Sequence, residues 1–210
     1  MNWAARALVL VGQAIGLPAL SMPEYRRKLP HFHPDQSYLF ITWRLFGTLP
    51  RTAGAVLHSN PGQAFAAEDR ELAMACGPVW LKKVPIAYMV SDAILAGETQ
   101  RHYYELEAWV VMPNHLHMLI LPRAPVPVLM RWLKGSTARG ANQILDRTER
   151  PFWQPESYDH CLRNASQIGR AAKYIEQNPV VAGLVPLAEQ WPRSSAGWAG
   201  QWPALPDRVV

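Results

Sequence analysis

"VMPNHLHMLILP", residues 111–122, decides how the rest of the chain reads. Side chains on a β-strand alternate between faces, so a strand here puts His115, His117, Leu119 and Leu121 on one side. Leu116, Met118 and Ile120 take the other side. Two imidazoles then converge on a surface that is otherwise built for a core. The preceding run, "LEAWVVMP", alternates in the same manner, and Pro113-Asn114 between the two runs is good chemistry for a tight turn. The two runs are predicted to pair as a hairpin with the histidines beginning just after its turn.

Outward from this hairpin, "SYLFITWRL" (37–45) is aromatic and β-branched and reads as another strand. "IAYMVSDAILAGETQRHYY" repeats apolar residues at helical spacing through Ile86, Met89, Val90, Ala93 and Ile94, with Gly97 near its end. "PVLMRWLKGSTARGANQIL" supplies a second helix, with Leu129, Trp132 and Leu133 inward and Arg131, Lys134 and Arg139 left for solvent or phosphates. "FWQPESYDHCLR" returns as a short strand or extended arm. A third helix starts at Asn164 as N-cap with Gln167 three residues on, carries the stripe Ile168, Ala171, Ala172 and Ile175, and is predicted to end near Asn178. The end is placed there because a residue before proline disfavours the α conformation. Hairpin pairing mixed with amphipathic helices predicts an α+β domain, an antiparallel sheet with flanking helices.

A chain of 210 residues with 49% hydrophobic and 18% charged residues can build one sizeable core, which excludes a disordered chain. The formal net charge of +5 favours an anionic partner such as nucleic acid, although indifferent surfaces also carry such an excess. Cys76 and Cys161 stand in no metal-ligand spacing, which argues against a disulfide framework or a zinc knuckle and fits a reducing cytosol. The opening stretch "MNWAARALVLVGQAIGLPAL" is interrupted by Gln13 and Pro18 and is too short for a confident membrane span. Residues 1–21 are read as an extension, either poorly ordered or the product of a start placed upstream of Met22. Residues 22–185 are read as the domain, and 186–210, with Trp191, Trp198 and Trp202 among Pro, Gly and Ser, as an irregular arm.

A strand-borne His-x-His aims two neutral nitrogens at one spot and can supply two ligands to a divalent cation. Two ligands are not a site, and satisfied polar residues on a sheet are the commoner meaning of this spacing. "PHFHP" at 30–34 has the same spacing, but its flanking prolines make His31 and His33 loop residues.

"EYRRKLPHFHP", "AWVVMPNHLHMLILP", "FWQPESYDHCLR" and "KYIEQNPVVAGLV" together resemble, in order and with similar gaps, the motifs of the REP-associated tyrosine transposases. That family is related to the single-tyrosine transposases of small bacterial insertion sequences, within the wider HUH nucleases. The resemblance implies a ferredoxin-like sheet on which His115 and His117 hold a divalent metal ion, Mg2+ or Mn2+. It implies Asn178 as third ligand and Tyr174 as nucleophile. The implied substrate is single-stranded DNA folded into palindromic repeat hairpins, with a tetranucleotide beside the stem, cut through a 5′-phosphotyrosine link. A monomer working in the cytoplasm beside the nucleoid, with no membrane attachment, completes the expectation.

Residue spacing agrees in part. Positions 174 and 178 are neighbours on a helix, and Tyr174 lies off the apolar stripe. For Asn178, capping the helix end is an equal alternative. Tyr158 is the competing nucleophile because His160 stands two residues away; Asp159 and His160, being adjacent, face opposite sides of a strand and make a poor relay. Candidates for DNA contact are Tyr25, Arg26, Arg27 and Lys28, then Lys134, Arg139, Arg163, Arg170 and Lys173, set against a merely solvated basic surface. The leading functional expectation is a metal-dependent, site-specific single-stranded DNA endonuclease and strand transferase. The alternatives are a non-catalytic hairpin-binding protein, regulatory or architectural, and a metallohydrolase of small molecules.

Overall fold

A computed structural model describes residues 37–48, 77–162 and 164–197. Tyr25, Arg26, Arg27, Lys28, His31, His33, Cys76, Arg163, Trp198 and Trp202 lie outside the described residues.

Strands β1 (Tyr38–Arg44), β2 (Tyr104–Val111), β3 (His115–Pro122) and β4 (Tyr158–Leu162) form one antiparallel sheet in the order β2-β3-β1-β4. Helix α1 (Val84–Thr99) connects β1 to β2, α2 (Val126–Ile144) connects β3 to β4, and α3 (Ala165–Val181) follows β4. This is an α+β fold with the ferredoxin-like order of elements. The expected hairpin is present, with Met112 N donating to His115 O at 2.9 Å across the Pro113-Asn114 turn. The turn's own carbonyls are taken up as well: Pro113 O accepts from Leu81 N at 3.2 Å and Asn114 O from Leu45 N at 2.8 Å.

The alternation read in β3 sorts the core into two layers. Leu116, Met118 and Ile120 pack with Leu39, Ile41 and Trp43 of β1 beneath Ile86, Val90 and Ile94 of α1 and Leu129, Met130 and Leu133 of α2. On the other face Leu119 packs with Phe40, Ala108 and Val110 beneath Ile168, Ala171, Ala172 and Ile175 of α3. The histidines share the α3 face. Trp132 is only half-buried, edge-on to Tyr103 at 5.6 Å between ring centres.

Helix α1 meets β2 with almost no clearance. Tyr104 Oη donates to Ile94 O at 2.6 Å, and a Cβ added to Gly97 would lie 2.1 Å from that hydroxyl oxygen. Burial raises the Tyr104 phenol well above its ordinary range.

Helix α3 begins as expected, with Asn164 Oδ1 accepting from Gln167 N at 2.9 Å. Its end differs from the expectation. The helix runs through Pro179 to Val181, Ala182 is the C-cap, and Gly183 takes a φ of +67° while donating to Val180 O. Proline forfeits only its own bond back to residue 175. The next turn is held by Ala182 N to Asn178 O and Leu184 N to Pro179 O, both 2.9 Å. Asn178 therefore sits inside the last turns and is not the capping residue.

The chain after α3 covers the outer edge of β2. Trp191 is buried and donates from Nε1 to Val111 O at 3.0 Å; Val111 N then donates to Arg193 O at 2.8 Å and Ser195 N to Trp109 O at 2.9 Å. Ser195 Oγ also donates to Glu176 Oε1 on α3 at 2.9 Å. An otherwise open sheet edge is closed and tied to the helix above it.

Candidate active site

Three elements bring the sequence-derived candidates together. The sheet places His115 and His117 two residues apart on β3, both with relative exposure of 0%, their ring centres 4.9 Å apart. Pairing in register sets Thr42 of β1 and Val110 of β2 on either side of His117, and Arg44 beside His115. Above this face, α3 presents Asn178, whose Nδ2 lies 3.3 Å from His117 Nε2. One turn earlier Tyr174 stands with its ring centre 5.9 Å from that of His117 and a relative exposure of 39%. A buried pair of imidazoles, a carboxamide and a solvent-reaching phenol thus share one point.

Phe40 packs against both the His117 and Tyr174 rings. Its ring stacks on His117 at 5.5 Å and 28° and meets Tyr174 edge-on at 6.1 Å and 60°. It fixes the side from which the phenol approaches the imidazole.

Each imidazole is also held by its other nitrogen. His117 Nδ1 lies 2.6 Å from Thr42 Oγ1, and His115 Nδ1 lies 2.7 Å from Asn114 Oδ1. With Nδ1 engaged in each ring, Nε2 is the nitrogen that would hold a cation. Among the described residues no group of three His, Cys, Asp or Glu side chains is placed to hold a metal. The candidate donor set is two imidazoles and a carboxamide, which would leave further coordination positions for phosphate and water. A half turn of the Asn178 amide would present Oδ1 in place of Nδ2. The residues fit an open divalent site.

The remaining candidates separate by location. Tyr158 pairs with Thr42 and so shares the α3 face, one strand further from the histidines, with His160 exposed two residues on and Asp159 directed to the opposite layer. Arg170 and Lys173 are exposed on α3, near Tyr174 in sequence, and Arg170 donates to Ser166 Oγ at 2.5 Å. Lys134 and Arg139 lie on α2, across the sheet from the imidazoles. Lys134 Nζ donates to Gln154 O at 2.6 Å and Pro155 O at 2.8 Å, clamping the loop before β4. Thr42, Asn114 and Phe40 were missed as site residues. For Asn114 the signal was its adjacency to His115; for Thr42 and Phe40 nothing local to "LFITWR" marks the register that brings them there.

Residues 89–178 match the model of the family described as transposase, IS200-like. A REP-associated tyrosine transposase of Escherichia coli is 31% identical over 112 residues, which cover 51% of this chain and 62% of that protein. Over residues 89–178 the chain is thus similar to the IS200-like transposases. A putative REP-associated tyrosine transposase of Haemophilus influenzae is 30% identical over 111 residues, 47% of this chain and 62% of that protein. The match thus spans about three-fifths of the length of these curated relatives. The fold matches a solved REP-associated tyrosine transposase bound to a REP hairpin with a TM-score of 0.53 at 23% identity, covering 90% of this chain and 94% of that one. No described helix is long and apolar enough to cross a membrane.

Proposed function

We propose that this chain is a transposase: a metal-dependent, site-specific single-stranded DNA endonuclease and strand transferase, acting on palindromic repeat hairpins through a covalent 5′-phosphotyrosine at Tyr174. The observation that carries this reading is the half-exposed Tyr174 ring 5.9 Å from His117, with the Asn178 amide 3.3 Å from that histidine's Nε2. The solved relative bound to a REP hairpin supports the substrate class, and the net charge of +5 suits a polyanion.

In this reading the Tyr174 phenol, ordinarily of pKa about 10, loses its proton to solvent as its oxygen attacks the phosphorus. A P–O bond to tyrosine forms, the P–O3′ bond breaks, and the departing 3′-oxygen takes up a proton. The phosphodiester becomes a phosphotyrosine diester, so an incoming 3′-hydroxyl can reverse the step without an external energy source. His115, His117 and Asn178 would hold the divalent cation, Mg2+ or Mn2+, which would neutralise phosphoryl charge and orient the phosphate. Phe40 and the buried sheet hold the phenol and the imidazoles in fixed relation. Arg170 and Lys173 neutralise flanking phosphates, while Tyr25, Arg26, Arg27 and Lys28 read the tetranucleotide beside the stem. The protein works as a monomer in the cytoplasm beside the nucleoid, with residues 22–185 as the working domain.

The test is incubation with end-labelled hairpin DNA and Mn2+, followed by a denaturing gel. A protein–DNA adduct is expected from the native chain and from Tyr158→Phe, and none from Tyr174→Phe or in the presence of a chelator. An adduct that survives in Tyr174→Phe and disappears in Tyr158→Phe overturns the assignment.

A further inference from the structure

The site holds each imidazole from behind by a different kind of group, and both groups act on the same nitrogen. Asn114 Oδ1 stands 2.7 Å from His115 Nδ1, with Asn114 at 1% exposure; Thr42 Oγ1 stands 2.6 Å from His117 Nδ1, with Thr42 at 6%. A neutral imidazole carries one proton on either nitrogen, and only the bare nitrogen can hold a cation. A carboxamide oxygen accepts and never donates, so Asn114 fixes the proton of His115 on Nδ1 and leaves the lone pair on Nε2. The threonine hydroxyl can do either. On the other side of the His117 ring the Asn178 amide faces Nε2 at 3.3 Å with Nδ2, a donor, the orientation that goes with a bare Nε2. In that arrangement His117 donates from Nδ1 to Thr42 Oγ1.

We infer that Asn114 and Thr42 are positioning residues that preset both histidines in the Nδ1–H form, ready to hold a divalent cation through Nε2. The inference rests on the proposed function for its purpose, but the tautomers themselves are a property of the protein alone. The two partners come from different places in the chain: one is the turn residue next to its histidine, the other is on β1, reached only through the β1–β3 register. Preset tautomers remove the cost of moving a proton, and of reorienting a buried ring, when the cation arrives. Partners of this kind, standing behind metal-binding histidines, typically change cation affinity by about 10- to 100-fold when removed.

The experiment uses the full chain labelled with 15N in histidine, in metal-free buffer at a pH where imidazole is neutral. Long-range 1H–15N correlation spectra are expected to place the proton of both His115 and His117 on Nδ1. Thr42→Val keeps the β-branched shape, and Asn114→Ala removes the acceptor. Asn114→Ala is expected to lose that preference at His115. Thr42→Val strands a buried Nδ1–H, so the Asn178 amide is expected to turn its Oδ1 to accept a proton moved to Nε2 of His117. Each is expected to weaken Mn2+ binding, measured by calorimetry without DNA, by about 10- to 100-fold. Thr42→Ser and Asn114→Asp are expected to restore the Nδ1–H signature. The inference is overturned if either native histidine carries its proton on Nε2, or if Thr42→Val and Asn114→Ala bind Mn2+ as the native chain does. A native chain with the expected tautomers and Mn2+ affinity that forms no DNA adduct would defeat the proposed reaction and leave this inference standing.

Discussion

Tyr174 and His117 meet edge-on, and a third ring, Phe40, touches both. Aromatic contacts of this kind contribute about 0.5–1.5 kcal/mol each beyond their buried area. Phe40→Leu keeps most of the volume, so a stability loss of about 1 kcal/mol is expected on chemical denaturation. The rate of adduct formation is expected to fall further than hairpin affinity does, because Leu no longer fixes the phenol edge-on; equal losses in both would mean that Phe40 only packs. At this scale the shared face of the two histidines was legible from period two, whereas Tyr174 was singled out by the resemblance of "KYIEQNPVVAGLV", its place off the Ile168–Ile175 stripe only agreeing with it. Thr42 was not legible. It is 75 residues from His117, and its meeting with that ring depends on a strand register that hydrophobic alternation does not fix between distant segments.

Helix α3 carries both Tyr174 and Asn178, so its ends matter to the site. The Asn164 cap was readable because an N-cap is a local signal, a side-chain oxygen three residues from an open amide. Asn164→Ala is expected to cost about 1 kcal/mol, read from the denaturation midpoint, with the first turn fraying toward Ser166 while the Asn178 end stays folded. Amide exchange that quickens throughout the helix to the same degree would contradict that polarity. The far end was misread. Pro179 argued for a stop at Asn178, but the two residues after a proline can still be helical, and the bonds from Ala182 and Leu184 hold that turn. The consequence is chemical, since a carboxamide anchored within the helix has a defined aim that a fraying end lacks.

The whole molecule is an order of strands that puts β3 between β1 and β2, with different partners on its two faces. The α+β class and the hairpin could be read from the pattern, but the closure of the β2 edge by residues 191–195 could not, since Pro, Gly and Ser carry no periodicity. Truncation after Leu187 removes the Trp191 and Ser195 contacts and bares β2. It is expected to lower the melting temperature and to produce concentration-dependent association, seen by light scattering, because an uncovered edge is a template for pairing. A truncated chain that stays monodisperse at unchanged melting temperature would mean the edge needs no cover. The tight turn at Pro113-Asn114, tied to Leu45 and Leu81 by its own carbonyls, has a last consequence. One residue inserted or deleted there would rotate the whole of β3 about its axis and deliver both imidazoles to the wrong layer, among Met118's neighbours, far from the phenol. Over evolutionary time this corner must keep its length.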